Sequence, residues 1–435
     1  INLSHVFSDN FKSYLISSVV KTNERENFEI EGGYRLCDLN NNPSSNNFDE
    51  CVVTRGVGTN YNYGRNSLEA TITNIEQKNE VYINNDLLEF GVRWDYEKID
   101  DALSEYAFID SADFSSVTEN RKNEIHLNSQ RLSAYTQYTT VSADSTHSFS
   151  FGARLNYWSV NDQLLVSPRV NYLYNPSSNS NINYRFAFGF YQQPPFYREL
   201  RDREGKINMD VKAQTSMHFI AGLDHYFTAW GRPFKFTTEA YYKKMENINP
   251  YDVENVRLRY FANNDTKAYA QGIDFRVNGE FIEGTQSWFS LGILNTREDI
   301  PNDEKGYIRR PTDQRINLGI FFEDHFPNDP STKVNLSMLF GSGLPFGPPR
   351  RDDLRNAFPG DEYYRVDIGF SKTININSSA KIFPNTLSFG VEILNLLGAD
   401  NTISYTWIKD VENNQFAIPN ALSARFLNFR VRAKF

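Results

Sequence analysis

The sequence predicts an all-β chain folded as a transmembrane antiparallel β-barrel with about 17 strands. Three observations lead there. Apolar and polar residues alternate with period two along most of the chain, and helical spacing is nearly absent. Aromatic residues reach 15 %, with 34 Phe and 25 Tyr, while the chain overall is hydrophilic. A barrel reconciles the two, because half of each strand faces water and aromatics gather in girdles at the two membrane interfaces. Finally, short and long connections alternate along the chain, as periplasmic turns and extracellular loops do in outer-membrane barrels.

The first predicted strands cover 1–7, 11–31, 63–83 and 87–99. In the fourth, Leu88, Phe90, Val92, Trp94 and Tyr96 form the apolar set, opposed by Glu89, Gly91, Arg93, Asp95 and Glu97. The next six cover 130–142, 148–159, 164–174, 182–191, 217–227 and 234–245. The last of these sets Phe234, Phe236, Thr238, Ala240 and Tyr242 against Lys235, Thr237, Glu239, Tyr241 and Lys243. The remaining strands cover 267–282, 287–296, 314–325, 333–341, 362–375, 386–408 and 423–435. The closing stretch RFLNFRVRAKF keeps the alternation to its final residue, Phe435.

Short connections are expected at SDN, NND, ADSTH, NPSSNSN, TAWGRP, EGTQ, FPNDPST and the NSSAKIFPN region. Long polar loops are expected at 32–62, 100–129, 192–216, 246–266, 297–313 and 342–361. Ile1, Asn2 and Leu3 already read as strand rather than as a secretion signal. An odd strand count leaves the two ends on opposite sides of the membrane, whereas single-chain bacterial barrels have even counts. The chain is therefore expected to be the C-terminal portion of a longer barrel, spanning 1–435 with earlier strands missing; a merged pair within 386–408 is the alternative.

Two cysteines, Cys37 and Cys51, flank a polar segment. They are expected to form a disulfide closing a loop of about 15 residues, which stabilises by on the order of 3 kcal/mol in an oxidising location. The net charge of -9 carries no nucleic-acid signature. No apolar run reaches the length of a transmembrane helix. No spacing of His, Cys or acidic residues indicates a metal centre, no cofactor motif occurs, and GSGLPFG lacks the Lys-Ser/Thr of a phosphate loop.

A run of segments resembles the barrel of TonB-dependent outer-membrane receptors of Bacteroidetes type. It includes FYQQPPFYREL (190–200), INMDVKAQTSMHFIAGLDHYF (207–227), EAYYKKMENINPYDVENVRLRY (239–260), AYAQGIDFRVNGEF (268–281), RRPTDQRINLGIFFEDHFP (309–327), GSGLPFGPP (341–349) and FGVEILNLLGADNTISYTWI (389–408). The resemblance covers most of the chain from about residue 60 onward. It implies a barrel of about 22 strands with a plugged lumen, so about five strands and the plug domain lie outside this sequence. It also implies an integral outer-membrane importer of a scarce nutrient, a siderophore chelate, vitamin, peptide or glycan, with no bond made or broken. Energy would come from the TonB–ExbB–ExbD complex. Further implied partners are the chain's own plug domain, the barrel-assembly machinery and, in one class of such receptors, a surface lipoprotein lid. The terminal aromatic Phe435 resembles the assembly signal of such barrels.

The candidate ligand surface is the loop after 182–191, with Gln193, Phe196, Tyr197, Arg198, Glu199 and Arg201. Prolines stiffen it, aromatics offer stacking and arginines suit an anionic ligand. Candidate lumen residues facing a plug are Arg93, Asp95, Glu97, Arg276, Arg310, Arg315 and Arg365. Asp95 and Glu97 share a face at a separation that suits glycoside hydrolysis, against the plainer reading of solvated lumen charges. A passive porin or surface-binding barrel is the alternative function. An outer-membrane hydrolase and a β-propeller are the remaining readings; the first lacks an assembled site and the second a repeat of blade length.

Overall fold

The structure, a computed structural model, describes residues 1–111, 115–176, 181–376, 384–409, 414–422 and 424–434. Phe435 lies outside them. Among the described residues, seventeen strands follow one another in a single meander. They are β1 (Asn2–Ser8), β2 (Phe11–Leu39), β3 (Cys51–Ile83), β4 (Asp86–Ser111), β5 (Ser115–Val141), β6 (His147–Trp158), β7 (Gln163–Tyr174), β8 (Ile182–Gln193) and β9 (Gln214–Ala229). They continue as β10 (Arg232–Ile248), β11 (Thr266–Gly279), β12 (Ser287–Asp299), β13 (Ile316–Phe326), β14 (Asp329–Gly341), β15 (Tyr363–Asn375), β16 (Thr386–Leu394) and β17 (Phe426–Lys434). Each pairs antiparallel with the next, and a two-residue arm, Ile308–Arg309, adds to the end of β12.

The sheet is inside-out relative to a water-soluble one. Phe90, Val92 and Trp94 on β4 point outward and are exposed, while Gly91 and Asp95 are buried. Hydrocarbon is the solvent of that outer face, and the polar groups line the interior. Tight turns close one end. Trp230 and Gly231 both take positive φ, 53° and 75°, which a two-residue turn matched to strand twist requires. Among the described residues β1 pairs only with β2 and β17 only with β16, so two strand edges stand open.

Three expectations need correction. Residues 32–62 and 100–129 are not long loops: β2 and β3 run on to Leu39 and from Cys51, and β4 and β5 run to Ser111 and from Ser115. At 33 residues β3 is about 110 Å long, far beyond a hydrocarbon core of about 30 Å. Four strands therefore rise as a wall on one side of the mouth. Its alternation is present but altered. Along β5, Glu119, Arg121, Asn123, Ile125, Leu127 and Ser129 face inward while Asn120, Lys122, Glu124, His126 and Asn128 face outward into water. The third correction concerns 386–408. The barrel strand ends at Leu394, and Thr402–Lys409 pairs with Gln415–Ala421 in a separate ribbon. Cys37 and Cys51 are joined by a disulfide, Cα to Cα 5.3 Å, near the tip of the β2–β3 hairpin.

Candidate functional site: the mouth of the barrel

The segment 194–213 after β8 turns inward rather than projecting into solvent, because it carries its own apolar anchors. Leu200, 0 % exposed, packs with Trp158, Val211 and Ala262. Tyr197 and Ile207 pack against Leu68, Ile99, Ile125 and Leu127 on the inner face of the wall. This explains why the wall's inner face carries those apolar residues: it is covered by protein, not by water.

The six predicted ligand residues divide between two tasks. Glu199 is 7 % exposed and braces the turn. Its carboxylate accepts the Phe196 N–H at 2.9 Å and the Gln214 amide at 3.3 Å, and its backbone carbonyl accepts from Asn249 at 2.8 Å. Burial pushes its carboxyl above the ordinary glutamate range. Arg201 is paired with Asp101 on β4, and Tyr197 is held in the apolar cluster. Phe196, 63 % exposed, and Arg198 line the cavity. Arg198 donates to the Tyr197 hydroxyl at 2.9 Å and has no carboxylate partner among the described residues. Gln193 lies apart, in a smaller cleft with Arg131, Trp158 and Arg169.

The predicted lumen charges are mostly satisfied by this chain itself. Arg93 grips Asp95 through two nitrogens at 2.7–2.9 Å. Glu97 is held by Arg131 at 2.9 Å and by the Ser129 hydroxyl at 2.8 Å. The two carboxylates are thus locked to separate guanidinium groups, which removes the glycosidase arrangement. Arg310 pairs with Glu298, Arg315 with Asp313 and Arg365 with Asp367, at 3.1, 2.9 and 2.7 Å. Arg276 instead lies over the Trp288 ring, 5.7 Å from its centroid.

A network that local spacing did not announce organises the mouth. A small ribbon, Tyr251–Glu254 with Arg257–Tyr260, sets Asp252 opposite Arg259 and Glu254 opposite Arg257. This charged face is turned toward the wall. Arg259 reaches Glu105 at 2.5 Å, Glu119 at 3.2 Å and Glu254 at 3.3 Å. Arg121 pairs with Glu254 at 3.1 Å and with Glu119. Asp252 joins Arg355 at 2.7 Å and Arg203 at 3.2 Å, and Arg355 reaches the fully buried Glu298 at 2.5 Å. Segments more than 100 residues apart in sequence are so tied into one lattice. Charges this deeply buried demand full pairing.

On its other face the ribbon presents Val253 and Leu258, 48 % and 50 % exposed. It separates two cavities. The larger, about 780 Å³, is lined by Glu24, Glu105, Phe196, Arg198, Arg257 and Leu258, among others. The smaller, about 250 Å³, holds a stack of Phe346 on Tyr405, centroids 3.9 Å apart, with Trp407 beside it. GLPFGPP contributes to that stack. Gly343 and Gly347 leave no room for a Cβ against Gly360 and Leu354, so the glycines serve close backbone approach. Among the described residues no group of acidic, His or Cys side chains is placed to hold a metal ion.

The profile of the family described as TonB dependent receptor-like, beta-barrel, matches residues 4–396. The chain belongs to this family. No functionally curated protein matches it. Solved structures share its fold at low identity. The ferric preacinetobactin receptor BauA from Acinetobacter baumannii is 13 % identical with a TM-score of 0.62, over 98 % of this chain and 61 % of that one. FpvA of P. aeruginosa, bound to heterologous pyoverdines, is 13 % identical with a TM-score of 0.58, over 100 % and 55 %. The ferric-catecholate import receptor Fiu of E. coli is 12 % identical with a TM-score of 0.54, over 100 % and 79 %. The chain spans 61 % and 55 % of the length of the first two.

Proposed function

We propose that this chain is the larger, C-terminal part of an outer-membrane receptor that imports a scarce nutrient using energy delivered through TonB–ExbB–ExbD. The family match over 4–396 carries the reading. The open edges of β1 and β17 support about five further strands, and a plug domain would fill the polar lumen. Membrane insertion would rest on the barrel-assembly machinery, with Phe435 as its signal. The work done on the substrate is translocation, so the protein is not an enzyme in this reading.

The substrate site we assign is the larger cavity, whose volume suits a compact ligand. Arg198 is the residue to test, because its guanidinium has no carboxylate partner among the described residues and the exposed Phe196 ring lines the same cavity. Those two features favour an anionic or chelate ligand with an apolar part, siderophore chelates among them. The test uses the full-length receptor and a panel of ferric chelates, cobalamin, oligopeptides and oligosaccharides. Any bound member should lose roughly tenfold in affinity, about 1.4 kcal/mol, in Arg198→Ala. Unchanged affinity would remove Arg198 from the site. Uptake that persists in cells lacking TonB would favour the passive porin instead.

A further inference from the structure

The outer face of the wall carries an apolar zone that neither the membrane nor the mouth explains. On β4, even-numbered residues point outward from Phe90 onward, and the β3–β4 register continues without a bulge through Tyr106 and Phe108. Above Tyr96 that face turns polar, with Lys98 and Asp100 on β4, Glu69 on β3 and His126 on β5. His126 and Asp100 pair there at 2.8 Å. About 33 Å along the strand beyond Tyr96, the face becomes aromatic again. Tyr61 pairs with Phe108, which in turn pairs with Val117, and Tyr63 pairs with Tyr106. Tyr61, Tyr63, Tyr106 and Val117 are 37–50 % exposed. A charged belt separates this panel from the bilayer zone, so lipid does not cover it.

The panel's edge is acidic. Glu29 stands opposite Tyr63 and Glu31 opposite Tyr61 on β2. At the first position the chain supplies its own cation: Arg65 pairs with Glu29 and lies 4.4 Å from the centroid of the Tyr63 ring. The second position repeats the ring and the carboxylate and adds Asp110. Asp110 lines one shallow cleft with Tyr61, Tyr106 and Phe108, and Glu31 stands across the strand from Tyr61. Among the described residues no lysine or arginine pairs with Glu31 or Asp110. A guanidinium or ammonium there would gain both a carboxylate and a ring face.

We propose that this panel is a docking surface for a cationic polypeptide segment, one that places a lysine or arginine at Tyr61, Glu31 and Asp110 and apolar side chains on Tyr106 and Val117. A second copy of this chain fits less well, because each copy would bring the same acidic edge and a net charge of -9. The site is separate from the import cavity and holds whether or not the import reading does.

The test is fluorescence anisotropy with the full-length receptor in detergent and a labelled peptide of alternating valine and arginine, against its valine–glutamate counterpart. The arginine peptide should bind saturably and at least tenfold more tightly. Tyr61→Ser and Glu31→Lys should each weaken it at least tenfold, while Lys122→Ser, below the panel, should not. Both key positions are exposed, and Glu31→Lys keeps the test intact where Tyr61→Ser fails to assemble. Equal binding of the two peptides, no saturation, or indifference to both substitutions overturns the proposal. So does displacement of the peptide by neutral glucan oligomers, which would assign the panel to a glycan.

Discussion

Strand β4 passes through two environments, and its two halves obey different rules. In the lower half Phe90, Val92 and Trp94 face lipid, and the inward set is polar. In the upper half the outward face begins with Lys98 and Asp100, while Ile99, Ala107 and Ile109 are buried against protein. Period two persists, but the solvent outside has changed from hydrocarbon to water. The polarity of the outer face therefore reports depth in the membrane, whereas the period reports only the strand.

The contrast can be broken most severely in the upper region. Glu298→Ala would leave Arg310 buried without its carboxylate and Arg355 with Asp252 alone. Unpairing buried charges costs roughly 3–5 kcal/mol. Hydrogen exchange should show 300–315 and 342–362 opening while the barrel strands stay protected. Unchanged protection there would mean that the lattice does not hold the mouth together.

A smaller effect compares the halves directly. Val92→Arg places a charge in hydrocarbon and should cost roughly 2–4 kcal/mol, read as a fall in folded, outer-membrane yield. Asn128→Arg on the outward face of the wall should change stability by less than about 0.5 kcal/mol. Equal losses at the two positions would show that the wall is not in water.

The mildest prediction concerns pH. Glu199 is buried with its carboxyl pushed above the ordinary range, so the folded state holds its proton more tightly than the unfolded one. Anchoring of 194–213 should then be strongest at low pH and weaken as pH rises from the ordinary glutamate range through the raised value. Limited proteolysis of that segment should speed up over this window in the native protein and lose this dependence in Glu199→Gln. A flat profile in the native protein would remove the burial argument.

How much was legible follows the same division. The seventeen barrel strands were readable because the bilayer imposes one uniform environment on every outward residue. The wall was missed for the reason that makes it informative. In SSVTENRKNEIHLNSQ the alternation of Ile125, Leu127 and Ser129 with His126 and Asn128 is present, but its apolar parity is inverted relative to Leu132 and its neighbours. Of the six loop residues singled out, Glu199 and Arg201 are braces. Stiff, charged, aromatic composition is the same for a brace and for a binding surface, and only burial separates them.

By itself the sequence determined the membrane-level strands and their inward and outward faces. Each follows from local chemistry repeated against a constant solvent. The tertiary structure alone decided that Asp252, Glu298 and Arg355 meet, that Leu200 closes against Trp158, and that Tyr61, Tyr106 and Val117 form one panel. Those partners come from distant parts of the chain. Their pairing depends on strand register and on where each loop re-enters the barrel, neither of which any single segment encodes.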